Sequence, residues 1–215
     1  MNLFMHYCFD RWMQKAHPEC PFARYADDAI EHCRSRAAAE QLLAEIGGRL
    51  THCKLSMHPA KSKIVYCKDS NRREAFSQVQ FTFLGFTFKP RVAVTKTGQR
   101  FTSFLPAVSR DAIVHMLRTI KRWQLQRQTS TTIEDLSGRY NPVLRGWWNY
   151  YGSFYPPAMT RIYYQVDRKL AYWARRKHKR LAGHVRKRVL WLERVASYRP
   201  ELFVHWRPLH DSATR

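Results

Sequence analysis

The segment Phe22-Ala23-Arg24-Tyr25-Ala26-Asp27-Asp28 sets two adjacent carboxylates between two short strand candidates, Phe22–Tyr25 and Ala29–Cys33. Like charges this close repel, and a bound cation relieves the repulsion. Divalent-metal phosphoryl transfer uses carboxylates in this way, to hold ions about 3.5–4 Å apart on the attacking and leaving oxygens. An exposed Asp-Asp turn has the same local sequence, so the pair alone does not decide. A second feature is the tract Arg175, Arg176, Lys177, Lys179, Arg180, Arg186, Lys187 and Arg188, eight cations in fourteen residues with no acid among them. A merely solvated face normally mixes in Glu or Asp. An unmixed run suits phosphate contact, with counterion release and salt-sensitive affinity. His178 and His184 lie in the same tract and are further candidates for phosphate contact. If it is helical throughout, the tract covers the whole circumference of its helix.

The whole chain shares this bias. Its 215 residues hold 38 Lys and Arg against 16 Asp and Glu, a formal net charge of +22. Residues 1–100 carry a net +7 and residues 101–215 a net +15. Charge of one sign repels itself in a folded chain, and a polyanion relieves that. Nucleic acid is therefore the expected partner. An anionic membrane surface is the weaker alternative, because Trp and Tyr interleave with the basic residues at core-like spacing. With 45% hydrophobic and 14% aromatic residues the chain is no disordered basic tail. No apolar run is long enough to span a membrane, and the first residues do not read as a secretory signal. The five cysteines, Cys8, Cys20, Cys33, Cys53 and Cys67, are odd in number and form no CxxC. They read as reduced thiols of a cytoplasmic protein, not as a disulfide framework or a zinc site.

Several elements must position these residues. Leu3–Lys15 reads as a helix with Phe4, Cys8 and Trp12 on one face. Ser35 caps a helix whose stripe is Ala39, Leu42, Leu43, Ile46 and Leu50. Ile64–Cys67 is a short strand candidate. Phe81, Phe83, Phe86 and Phe88 alternate along a strand interrupted by Gly85. Lys89-Pro90-Arg91 reads as a turn into a Val92/Val94 strand, and Thr97-Gly98 as a second turn. Beyond Pro106 the period becomes helical. Ser109 caps a helix with Ile113, Met116, Leu117, Ile120 and Trp123 inward. Thr132-x-x-Asp135 is a capping-box variant, and Asn141-Pro142 reads as a fresh helix start. Ile162, Tyr163, Val166, Leu170 and Trp173 line a longer helix. The aromatic cluster Trp147, Trp148, Tyr150, Tyr151, Phe154 and Tyr155 is read mostly as core.

Four segments carry a family resemblance. Phe22–Asp28 resembles the YADD box of group II intron-encoded reverse transcriptase–maturases. Leu55-Ser56-Met57-His58-Pro59-Ala60-Lys61-Ser62-Lys63 is similar to that family's LxLHPxKTK segment. Phe83-Leu84-Gly85-Phe86-Thr87-Phe88-Lys89-Pro90-Arg91 is similar to FLGFTFxPR, and Asn141-Pro142-Val143-Leu144-Arg145-Gly146-Trp147-Trp148-Asn149-Tyr150-Tyr151 to the signature of the maturase-specific domain.

The resemblance implies an α+β chain: a partial reverse-transcriptase palm over 1–105, then an all-α thumb and maturase region over 106–215. It implies Asp27 and Asp28 as catalytic Mg²⁺ ligands, Tyr25 beside a primer end, and Gly85 admitting the primer closely. It implies group II intron RNA as partner, an RNA/DNA primer-template as a further one, and assistance to splicing with RNA-directed DNA polymerase activity. The family's first catalytic Asp and its nucleotide-pocket loop have no counterpart in this sequence. Asp10, the nearest upstream acid, is not assigned that role. A separate N-terminal reverse-transcriptase fragment is therefore an expected partner, and the sheet beside the YADD hairpin is expected to have an open edge. A polymerase, a non-enzymatic RNA-binding splicing factor and a remnant without function all remain open on the sequence.

Overall fold

The computed structural model describes residues 2–72, 74–183 and 185–206. The chain forms two compact units, one of residues 1–68 and 72–80, the other of 69–71 and 81–215. The compact units thus divide near residue 80, whereas the change of sequence period falls near 105.

The first unit begins with helix α1 (Asn2–Met5), a π-helical turn (His6–Asp10) and helix α2 (Arg11–Ala16). Its buried line is Met5, Phe9 and Met13 with Cys8, while Phe4 is exposed. The expected face of Phe4, Cys8 and Trp12 is thus shifted by one residue. Both lines run i, i+4, i+8, and only packing chooses between them: Met5, Phe9 and Met13 close on Leu42 and Ile46 of α3 (Arg36–His52). Ser35 caps α3, accepting from the Ala38 N–H at 3.2 Å. Strands β1 (Phe22–Tyr25) and β2 (Asp28–Glu31) form an antiparallel two-stranded sheet in which Tyr25 faces Asp28. Ile64–Cys67 is not a ladder strand, contrary to expectation; Tyr66 N–H donates to Gln78 O at 2.8 Å.

The second unit opens with the antiparallel sheet β3 (Phe81–Phe83), β4 (Phe86–Val94) and β5 (Arg100–Val108). β4 runs straight through Lys89-Pro90-Arg91, so the expected turn there is absent. Pro90 lies opposite Phe104, and the reversal comes at residues 95–99, where Gly98 has φ +82°. Helices α4 (Arg110–Arg122), α5 (Ile133–Tyr151), α6 (Thr160–Lys177) and α7 (Val185–Tyr198) follow. Ser109 caps α4, accepting from Ala112 N–H at 3.1 Å. Thr132 and Asp135 form a reciprocal capping box on α5. Every residue of the expected α6 stripe is buried, and Met116, Ile120, Leu136 and Leu144 pack against it in one core.

Asn141-Pro142 does not restart a helix. Pro142 sits inside the continuous α5, and Asn141 works sideways. Its Nδ2 donates to Ser137 Oγ and to Leu202 O, both at 2.8 Å, and its Oδ1 accepts from Val204 N–H at 3.1 Å. Ser137 Oγ also donates to Leu202 O. This pair fastens the segment after α7, whose Leu202, Phe203, His205 and Trp206 are buried. Asn141→Ala leaves Val204 N–H without its acceptor and removes a donor to Leu202 O. Such losses cost about 1–3 kcal/mol. A lower denaturant midpoint by helical circular dichroism, with faster amide exchange confined first to residues 199–206, is the expected outcome.

Candidate functional site

Asp27 and Asp28 lie at the tip of the β1–β2 hairpin, whose two-residue turn is Ala26-Asp27. Ala26 has φ +56°, in the left-handed region where a residue with a Cβ is disfavoured. Arg24 holds this turn. Its Nη1 donates to Ala26 O at 2.5 Å, while its Nε and Nη2 donate to the two carboxylate oxygens of Asp10 at 2.6 and 2.7 Å. Phe22, on the same face of β1, packs edge-on against Phe9 at 5.5 Å. Consecutive residues of the π-helical turn, Phe9 and Asp10, thus engage alternate residues of the strand. Read along the chain, Asp10 is an acid on a helix with no assigned role. The structure makes it the anchor of the carboxylate hairpin, through a pairing fourteen residues apart that no local pattern announces.

The other face of β1 carries Tyr25, which is 64% exposed. Asp27 and Asp28 are both exposed, and none of the ion pairs among the described residues uses either. Two unneutralised hard-oxygen donors side by side have the chemistry of a Mg²⁺ site, where one or two protein carboxylates, waters and substrate phosphates complete the shell. Among the described residues no group of three His, Cys, Asp or Glu side chains is placed to hold a metal.

Gly85 and Leu84 form the β3–β4 turn, with φ +77° and +49°. The close approach that Gly85 permits is occupied by Tyr151: a Cβ at Gly85 would lie 2.8 Å from Tyr151 Oη. Tyr150 Oη donates to Leu84 O at 2.9 Å, and Phe86 packs on Tyr150, Tyr151 and Phe154 with ring centroids 5.2–5.5 Å apart. The C-terminal end of α5 thus serves to hold this turn.

The basic tract is not one helix. α6 ends at Lys177, a short 3₁₀ turn covers Lys179–Leu181, and α7 begins at Val185. The break sorts the cations. Arg175, Arg176, Lys179, Arg180, Arg186 and Lys187 are exposed. Lys177 is drawn inward, its Nζ donating to Thr131 O at 2.6 Å and Thr129 O at 3.3 Å and lying over the Trp173 ring. Arg188 is buried, with its guanidinium 4.1 Å above the Tyr172 ring. His178 packs beside Trp173 and Trp191, and burial, with Arg180 and Lys177 nearby, pushes its pKa down. Its ring is half-buried between these neighbours, which disfavour a charge on it. His184 lies outside the described residues. Cys8, Cys20, Cys33 and Cys53 are free thiols, and burial pushes the Cys8 and Cys20 thiols up to about 11.

Residues 1–88 match the reverse transcriptase (RNA-dependent DNA polymerase) family, and residues 113–191 match the group II intron, maturase-specific domain. The chain belongs to the group II intron reverse transcriptase–maturases. No curated protein matches it. Within this reverse transcriptase–maturase, the first match contains the carboxylate hairpin and runs on into β4, and the second spans α4 to the middle of α7. The reverse transcriptase family uses divalent metal ions, and among the described residues no helix is long and apolar enough to cross a membrane.

The Asp10–Arg24 pair gives the hairpin a pH dependence. The Arg24 hydrogen bonds hold the Asp10 carboxyl below its ordinary range. A depressed acid stabilises the fold above its unfolded pKa and loses that contribution as the pH falls through the lowered value. Amide protection over residues 22–31, corrected for intrinsic exchange, should therefore fall on acidification into and below the carboxylate range. Asp10→Asn should lower that protection already at neutral pH and flatten its acid limb.

Proposed function

We propose that this chain acts chiefly as a maturase: it binds the intron RNA and assists its splicing, while the RNA performs the cleavage and joining. The observation that carries this reading is the set of exposed cations, Arg175, Arg176, Lys179, Arg180, Arg186 and Lys187, left over once Lys177 and Arg188 are committed to internal contacts. They flank the α6–α7 break from both sides and have no acid between them. Neutralising phosphates is the chemistry that such a cluster performs best. Thiols pushed up by burial, as at Cys8, Cys20 and Cys33, fit a cytoplasmic setting.

The test is filter binding to the intron RNA at several salt concentrations. Replacing Arg175, Arg176, Lys179 and Arg180 together with Gln should weaken binding broadly across RNA sequences. It should flatten the plot of log affinity against log salt by up to about one unit per lost phosphate contact. A variant that keeps the parent's slope would assign the tract to solvent. Asp27→Asn with Asp28→Asn should leave affinity unchanged or slightly raised, since it removes negative charge.

A second reading rests on the carboxylate hairpin. Asp27 and Asp28 would hold Mg²⁺, which when bound neutralises phosphate charge and polarises its oxygens. Tyr25, on the exposed face of the same strand, would lie against the primer end. In this reading the remaining ligand comes from outside the described residues, among which no third metal-holding side chain joins the pair, and RNA-directed DNA synthesis needs that ligand. With two carboxylates alone, metal positioning is incomplete. Primer extension by this 215-residue polypeptide with Mg²⁺ or Mn²⁺ is expected to be undetectable. Template-dependent extension by the purified chain that Asp27→Ala abolishes would contradict this.

A further inference from the structure

Helix α6 has an outer face as regular as its inner one. Arg161, Tyr164, Arg168, Tyr172 and Arg175 follow one another at spacings of three or four residues, and all five are exposed. At 1.5 Å rise per residue they form a stripe about 21 Å long in which cation and ring alternate. The one acid of α6, Asp167, is turned off this stripe: its Oδ1 accepts from His205 Nε2 and Trp206 Nε1, both at 2.9 Å.

The two rings are not explained by packing. Tyr163 is buried in the core, but its neighbour Tyr164 is 63% exposed. Tyr172 is 37% exposed, with one side of its ring covered by the Arg188 guanidinium. Arg188 is itself only 6% exposed, and no carboxylate pairs with it among the described residues. A guanidinium stacked on an aromatic ring is attracted by the ring's π-face. It fixes the ring's orientation and adds charge beneath it. The same contact accounts for a buried arginine that has no ion-pair partner.

We propose that this stripe is a stacking platform for unpaired nucleotides of RNA, with Tyr164 and Tyr172 taking bases on their faces and Arg161, Arg168 and Arg175 taking the phosphates between. The proposal rests on the RNA-binding reading above and deepens it by naming the form of RNA. A duplex hides its base faces in its own stack and offers the stripe phosphates alone. A loop or single strand offers both phosphates and base faces.

The test uses the full 215-residue chain and two fluorescent probes: an oligouridylate dodecamer and a blunt RNA duplex of the same length. Tyr164→Ala combined with Tyr172→Ala should weaken single-strand binding by about five-fold to a hundred-fold per ring, the range of base–aromatic stacking. Its salt slope should not change, and duplex affinity should stay within about two-fold of the parent. Tyr164→Phe combined with Tyr172→Phe should bind both probes like the parent, because stacking needs the ring and not the hydroxyl. Arg161→Gln combined with Arg168→Gln should weaken both probes and flatten both slopes. The proposal is overturned if the Ala pair leaves single-strand affinity intact, if it weakens both probes equally, or if the Phe pair fails as the Ala pair does. If those results come while the arginine variants still behave as described, the RNA-binding reading survives and only the platform is lost. If neither probe binds the parent chain, both are lost, and a protein partner becomes the occupant to seek.

Discussion

Helix α6 buries Ile162, Tyr163, Val166, Leu170, Trp173 and Ala174, and the rest of the second unit is arranged around that face. α4 and α7 pack on it, and so does the short turn at Leu125–Arg127. Full burial of a large apolar side chain stabilises by about 1.5–3 kcal/mol, so a stripe of this length outweighs any single polar contact in the unit. Polar contacts then fix the register. Trp173 Nε1 donates to Gln128 O at 2.8 Å, and Gln128 Nε2 donates to Trp123 O and Tyr140 Oη, both at 2.7 Å. The loop between α4 and α5 is thereby tied to both α5 and α6. Once one side of α6 is committed to the core, the other side is free to present charge.

Scarcity of acids sharpens that division. Sixteen carboxylates stand against thirty-eight Lys and Arg, and many of the acids are used within the fold. Asp10 binds Arg24, Glu134 pairs with Arg199, Asp135 closes a capping box, and Asp167 accepts from His205 and Trp206. Each such use commits an acid to a partner within the fold. The exposed cations Arg175, Arg176, Arg186 and Lys187 of α6 and α7 are left without a carboxylate partner among the described residues, and a polyanion is the partner that relieves them. The same accounting separates structural from available cations: Lys177 and Arg188 are satisfied by carbonyls and rings, and their neighbours are not.

The carboxylate hairpin depends on a different device. A two-stranded sheet is marginal alone, and its turn carries a non-glycine residue at positive φ. Arg24 compensates by binding the turn's own carbonyl and the Asp10 carboxylate together, so the hairpin tip is referred to a helix and not left to the strands. Asp27 and Asp28 are therefore held at a defined place while remaining open to solvent and to a cation.

The sequence by itself determined the elements that rest on local rules. The caps at Ser35, Ser109 and Thr132 and the buried stripe of α6 follow from neighbours within four residues. The family followed from four motifs in order, because each motif is a contiguous string. Tertiary structure decided whatever depended on partners far along the chain. Met5, Phe9 and Met13 were chosen over Phe4, Cys8 and Trp12 by packing on α3, since both lines have helical period. Pro90 stays in a strand because β5 pairs with it, and Pro142 stays in a helix whose Asn141 is engaged sixty residues downstream with Leu202 and Val204. Local pattern read both prolines as breaks, and pairing overrode it. The run of cations read as one uniform surface, yet the break after Lys177 turned two of them inward. Which charges face water is a property of how helices pack, and that is absent from the order of residues along any one of them.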